Sequence, residues 1–274
     1  MELESQRQRF RERGLELASI SYDSPAVLAD FARRRGITHP LLSDPDSAVI
    51  RRFGLLNPEY PPGDRAHGVP YPGTFVLDPD GVVREKDFAR DYTERRTAAS
   101  ALARAGEATG PGREWTTPHF TLRTSVSNAE AVPGRRLTLV LDFDMATGRH
   151  AYAPGDHTYR PFALKMRPTP YARIEEPVLP ASRPFRFEPL DETVPVFEGR
   201  FRVTQDVVLA VRDDVAPLLA SADPTLVLDG VLEYQVCSDT VCYPPASLPV
   251  EWKVRIRPLD RERAPEPLRR PDRP

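Results

Sequence analysis

Cysteine is almost missing from this chain. The only two among 274 residues both lie in the stretch YQVCSDTVCYPP, Tyr234 to Pro245. Residues 1–236 therefore offer no thiol nucleophile, no disulfide and no thiolate metal site. Two cysteines are also too few to fix a redox compartment. Lysine is scarce too, at 86, 165 and 253, so the positive charge is almost all arginine, a compositional bias that implies no site. The net charge of -2 gives no reason to expect a nucleic acid or an anionic membrane as partner. No apolar run approaches the roughly 20 residues of a membrane-spanning helix. The opening MELESQRQRFRERG is charged and helical and lacks the apolar core of a signal peptide. As written, the chain is expected to stay in the cytoplasm.

Proline, by contrast, is abundant at 31 residues and concentrates in the second half, where it disfavours long helices and favours short strands. Length gives a prior of about two domains, and two grammars follow one another. Residues 1–106 alternate helix and strand. LELASIS (15–21) reads as a buried strand. Ser24-Pro25 is an N-cap with proline at the first helical position, Val27, Leu28 and Phe31 make one helical face, and Gly36 stops it. THPLLSD is extended, and SAVIRRFG is a short helix. TFVLDPDGVVREKDF is a hairpin, and YTERRTAASALARAG is a closing helix with Thr93 as its candidate N-cap. Residues 107–117 form a linker of mixed Gly, Pro and charge. From 118 to 258, short alternating runs separated by turn residues predict an all-β sandwich. The tail, 259–274, is Arg, Pro and acid, and is expected to be disordered.

The cysteines fall at the base of a hairpin. LDGVLEYQVC reads as one strand and CYPPASLPVEWKVRI as the next, with Ser238-Asp239-Thr240-Val241 as the loop. Cys237 and Cys242 then face each other at the ~4.5–5.5 Å Cα spacing of antiparallel neighbours, within disulfide range. Four readings are open: a structural clasp, a metal clip, an exchanging pair and two inert thiols. So small a closed loop gives a clasp only about 2 kcal/mol. Zinc needs four ligands, and no matching cluster exists; His150 and His157, with six residues between them, stand alone. No metal and no organic cofactor is expected.

The first half resembles the thioredoxin-fold redoxins of the alkyl hydroperoxide reductase/thiol-specific antioxidant (AhpC/TSA) type. ISYDSPAVLADFA, PLLSDPDSAVIRRFG and PGTFVLDPDG carry the resemblance. It implies that Pro72, two residues before Thr74-Phe75, holds the place of that fold's cis-proline. It also implies a reactive cysteine on the turn before the first long helix, where a helix N-terminus lowers thiol pKa. That helix is residues 1–13 here, so the cysteine and two strands, one of them central between LELASIS and TFVLD, are expected upstream of Met1. The alternative is a degenerate redoxin with a rebuilt sheet.

LEYQVCSDTVCYPP resembles the cysteine hairpin of the immunoglobulin-like N-terminal domain of the thiol:disulfide interchange protein DsbD. RHAYAPGD and PVFEGRF fit the same β-sandwich less specifically. This resemblance implies dithiol–disulfide exchange with thioredoxin-like or other disulfide-carrying proteins, in an extracytoplasmic setting. Cys242 would be the attacking thiol and Cys237 the resolving one. Tyr234 and Tyr243 would shield the pair, although both could equally be core aromatics. A cap loop is implied at YAPGDHTYRPF (152–162), with Tyr152, Tyr159 or Phe162 as its cover. Asp239 is placed to modulate thiol pKa. Two other functions stay open: a binding module whose disulfide only stiffens the hairpin, and a thiol peroxidase whose cysteine lies upstream.

Overall fold

A computed structural model describes residues 2–64, 66–88, 95–104, 112–187, 191–238, 240–260 and 262–268. The chain divides into two compact units, Met1–Ala98 with Asp260–Pro274, and Ala99–Leu259.

The first unit runs α1 (Glu2–Glu12), β1 (Ser19–Ser21), α2 (Pro25–Arg35), β2 (Leu41–Ser43), α3 (Ala48–Arg52), β3 (Gly73–Leu77) and β4 (Val83–Phe88). Helix α2 starts and stops where its caps dictate. The Ser24 hydroxyl accepts the Val27 N–H, Pro25 takes the first turn, and Gly36 closes the helix in the left-handed region at φ 61°. Helix α1 is tied down by Glu4, whose carboxylate accepts from Thr38 Oγ1, Thr38 N and His39 N and pairs with His39 Nδ1. The Thr38 hydroxyl contributes most to holding that carboxyl down, to a pKa of about 2. Strands β1 and β2 pair in parallel, Ile20 opposite Leu42, and β3 and β4 form an antiparallel hairpin. The two pairs remain separate two-stranded sheets, and no described strand lies between them.

Two expectations change here. Every described peptide bond is trans, Pro72 included. Tyr71 N–H donates to Leu55 O at 2.8 Å and the chain runs directly into β3, so no tight turn at Pro72 asks for a cis bond. The tail is also partly placed. Asp260 and Glu262 pair with the arginines that end α2: Arg35 Nη2 lies 2.6 Å from Asp260 Oδ2, and Arg34 Nη1 lies 2.9 Å from Glu262 Oε1. A single 3-10 turn follows at Glu266–Leu268. Residues 269–274 and Thr93 lie outside the described residues.

Between the hairpin and the second unit lie a two-residue strand, β5 (Arg95–Arg96), and α4 (Ala98–Arg104). Although the sequence pattern assigns this closing helix to the first half, all of it beyond Ala98 counts with the second unit. Its Ser100 hydroxyl bonds to Arg136 O, and Arg202 donates to Ala103 O. The expected linker likewise contributes a strand, β6 (Gly112–Thr116).

The second unit is β-rich. Strands β7 (Phe120–Val126), β8 (Glu130–Ala131), β9 (Arg135–Met145), β10 (His150–Tyr152), β11 (Ala163–Met166) and β12 (Ala172–Val178) come first. Then follow β13 (Arg183–Phe187), β14 (Glu192–Glu198), β15 (Arg200–Leu209), a short helix α5 (Arg212–Leu219), β16 (Thr225–Tyr234), β17 (Val236–Cys237) and β18 (Ala246–Ile256). One sheet has the order β12-β15-β9-β7-β6 and the facing sheet β11-β16-β18-β8. Leu122, Leu137, Leu139 and Leu141 from the first meet Leu228, Leu232, Trp252 and Val254 from the second in one buried cluster. In β16 buried and exposed positions alternate, as period-two packing requires. In β9 five consecutive residues are buried, the mark of a strand covered on both faces.

A third, smaller sheet has the order β13-β14-β10-β17 and carries its own apolar cluster of Tyr152, Val194, Val196 and Cys237. It exists because the cysteine hairpin is not the single ladder that its sequence pattern predicts. The β16–β18 ladder ends at Tyr234 opposite Ala246, since Pro244 and Pro245 have no N–H to extend it. The chain breaks at Gln235, and β17 changes sheets to pair with β10, placing His150 opposite Cys237.

Candidate redox site

Cys237 and Cys242 form a disulfide with a Cα–Cα distance of 4.2 Å, and each faces the other in an isolated antiparallel bridge. The loop between them is closed by Ser238. Its N–H donates to Val241 O at 2.8 Å, and its hydroxyl accepts Val241 N–H at 2.9 Å. Asp239 lies outside the described residues. The two sulfurs have unequal surroundings. Cys237 is 1% exposed inside the small cluster, whereas Cys242 belongs to an exposed residue.

A single hydroxyl serves both. Tyr152, on β10, donates to Cys237 Sγ at 3.1 Å, and its oxygen is 3.4 Å from Cys242 Sγ. The Tyr152 ring stacks on Tyr159 with centroids 4.1 Å apart and planes 2° from parallel. Tyr159 in turn donates its hydroxyl to Glu192 at the start of β14. The loop carrying Tyr159 is folded back by Phe162 N–H donating to Tyr152 O at 2.7 Å and by the His157 ring bonding Ala153 O at 2.7 Å. Gly155 lets it lie against β14: a Cβ there would meet Pro195 Cγ at 2.6 Å.

Tyr152 is therefore the aromatic at the sulfurs, with Tyr159 stacked on it, and Phe162 is not part of this group. Phe162 is 3% exposed in the sandwich core, edge-on to Phe143 and Phe197, because the loop has turned back into the main sheets by that point. Tyr234 also belongs to the sandwich core and packs on Phe120 at 5.0 Å. Tyr243 points to His119 and Arg149, with the guanidinium 5.1 Å from its ring centre, instead of covering the pair. Burial and the nearby Arg149 lower the His119 pKa. Pro72 is in the other unit. Glu192 carries no sequence signal; only the β13–β14–β10 pairing brings it to Tyr159.

The hydroxyls here are poised to donate. Burial, with Tyr159 and Glu192 close by, raises the Tyr152 pKa well above the usual value. The Glu192 acceptor does the same for Tyr159, and burial for Tyr234. The consequence for stability has a definite sign. A tyrosine whose folded pKa is raised adds stability that is complete below its unfolded pKa, about 10, and is lost as pH rises through the folded value. The melting temperature should therefore hold through neutral pH and fall above about pH 10. Tyr152→Phe should reduce that fall, and an equal alkaline decline in the variant would contradict this assignment.

Residues 120–251 match the N-terminal domain of the thiol:disulfide interchange protein DsbD, and residues 1–86 match the AhpC/TSA family. The chain thus joins an α/β segment similar to the AhpC/TSA redoxins to a β-rich domain similar to the DsbD N-terminal domain. A Mycobacterium tuberculosis protein named as a peroxiredoxin is 40% identical over 74 residues, 27% of this chain and 46% of the relative. Staphylococcus aureus alkyl hydroperoxide reductase C is 30% identical over 106 residues, 37% of this chain and 51% of the relative. The chain spans about half the length of the curated relatives it matches. Among solved structures, the N-terminal periplasmic domain of ScsB from Proteus mirabilis aligns at 16% identity and TM-score 0.34, covering 52% of this chain and 49% of that one. No helix among the described residues is long and apolar enough to cross a membrane.

Proposed function

We propose that this protein is a thiol–disulfide oxidoreductase whose working pair is Cys237–Cys242, exchanging electrons with thioredoxin-like or other disulfide-carrying proteins outside the cytoplasm. The observation that carries this reading is the unequal burial of two cysteines whose sulfurs share one hydroxyl. A partner thiolate attacks Sγ of the exposed residue Cys242. The Cys237–Cys242 bond breaks as the partner–Cys242 bond forms, and Cys237 leaves as a thiolate that accepts the Tyr152 O–H. A second partner thiolate then attacks the partner's own sulfur in the mixed disulfide and releases Cys242. Two electrons pass from the partner dithiol to this pair. The reverse sequence, with Cys242 attacking an acceptor disulfide and Cys237 resolving it, returns them. A lower pKa makes a sulfur a faster leaving group, and an attacking thiol works best with a pKa brought down towards the ambient pH, which is the service a hydrogen-bond donor at the sulfurs supplies.

The test is a redox titration against glutathione. We expect a midpoint near roughly −200 mV, characteristic of exchanging pairs; a value below about −300 mV would mark an inert hairpin clasp and sink the proposal.

The matches to peroxiredoxin-named proteins favour a second reading, that the whole protein reduces peroxides. Residues 1–236 contain no cysteine to act as the peroxidatic nucleophile. We therefore expect no peroxide turnover from this chain. Turnover that survives replacement of both cysteines by serine would overturn that expectation.

A further inference from the structure

Gln235 stands in the gap where β16 ends and β17 begins. Its side-chain amide is used at both ends. Oε1 accepts Arg160 N–H at 2.9 Å, and Nε2 donates to Tyr243 O at 3.1 Å. Its backbone carbonyl accepts Tyr152 N–H at 3.3 Å. These three partners occupy telling places. Arg160 follows Tyr159, the ring stacked on Tyr152. Tyr243 follows Cys242, the exposed half of the pair. Tyr152 bears the hydroxyl that reaches both sulfurs. One residue thus joins the reachable cysteine, the aromatic loop and the donor strand at the point where the chain changes sheets.

We propose that Gln235 is a positioning residue for exchange at Cys242, holding the cysteine hairpin and the tyrosine loop in the register that keeps the Tyr152 hydroxyl on the sulfurs. The inference rests on the exchange function proposed above. Gln is suited to this task because it donates and accepts at once; Glu at this position can only accept and Leu can do neither. Gln235→Glu therefore keeps the Arg160 contact and gives up the Tyr243 contact, while Gln235→Leu gives up both.

The experiment is the pH dependence of iodoacetamide alkylation at Cys242 in the fully reduced protein. It compares wild type, Gln235→Leu, Gln235→Glu, Tyr152→Phe and the Gln235→Leu/Tyr152→Phe double variant. We expect Gln235→Leu to move the alkylation midpoint to higher pH and to slow alkylation at pH 7 by roughly five- to tenfold, the scale of losing ordinary hydrogen bonds. Gln235→Glu should shift the midpoint in the same direction by less. The double variant should match Tyr152→Phe alone, because a residue acting through Tyr152 has nothing left to position once the hydroxyl is gone. A wild-type profile in Gln235→Leu, or an effect that adds in full to that of Tyr152→Phe, overturns the proposal. If Gln235→Leu shows no cooperative thermal transition, Gln235→Glu decides the matter: a midpoint shifted upward supports the proposal, and an unshifted one overturns it. Alkylation needs no protein partner, so these profiles judge Gln235 separately from the exchange function, which fails instead if the wild-type disulfide is inert to a reduced thioredoxin.

Discussion

Cys242→Ser should reduce exchange with a partner dithiol to background, whereas Cys237→Ser should yield a protein that captures a partner and keeps it. The two cysteines are chemically identical and differ only in place. Cys242 is exposed, and Cys237 is 1% exposed beneath Tyr152. With Cys237 gone, Cys242 can still attack a partner disulfide, but no second thiol lies within reach to release the product. The mixed disulfide then accumulates and is visible as a shifted band under non-reducing conditions and as an added mass. With Cys242 gone, the surviving thiol is buried and the partner never docks covalently. The opposite pattern, with capture by Cys242→Ser and none by Cys237→Ser, would reverse the assigned roles.

Phe143→Ala should have the largest effect on stability while leaving the chemistry of the pair alone. Phe143 is 4% exposed and packs against Phe120, Phe162 and Phe201 at 5.5, 5.3 and 4.7 Å between ring centres. Truncating a buried phenylalanine costs about 3–5 kcal/mol, a large share of the ~5–15 kcal/mol that holds a domain folded. The melting temperature of the second unit should fall by about 10 °C. Cys237 sits in a different apolar cluster and Cys242 in neither, so below the new melting point the rate of disulfide reduction by dithiothreitol should match wild type. Tyr152→Phe should show the converse, with little loss of melting temperature at neutral pH and slower reduction. A Phe143→Ala protein that melts within 2 °C of wild type would mean the core repacks far better than such cores do.

What the sequence disclosed follows from the range of the interactions involved. The facing cysteines were legible because four loop residues and two flanking strands determine them locally. The caps of α2 were legible for the same reason: Ser24, Pro25 and Gly36 act within one turn of themselves. The change of sheets at Gln235 was hidden, because the partner strand β10 lies more than eighty residues away and β17 is only two residues long. Of the three aromatics implied as a cover, Tyr152 reaches the sulfurs and Tyr159 stacks on it. Nothing in YAPGDHTYRPF separates them from Phe162 until the loop's return to the core is known. Glu192 and Arg149 give no local sign at all, since their partners Tyr159 and Tyr243 come from connecting segments distant in sequence. The closing helix is legible as a helix, while the side it packs on is not. Its short apolar face, Ala99, Leu102 and Ala103, fits either unit by pattern, and its bonds to Arg136 and Arg202 decide the matter.

The unequal exposure of the two cysteines also sets the kinetics expected of the proposed exchange. With a single approachable cysteine, donor and acceptor would visit in turn, each leaving before the other arrives. A ternary complex has no place in such a cycle. Steady-state rates measured at several fixed donor concentrations should give parallel double-reciprocal lines, the signature of a ping-pong relay. Excess of either partner should then inhibit by occupying the form of Cys242 meant for the other.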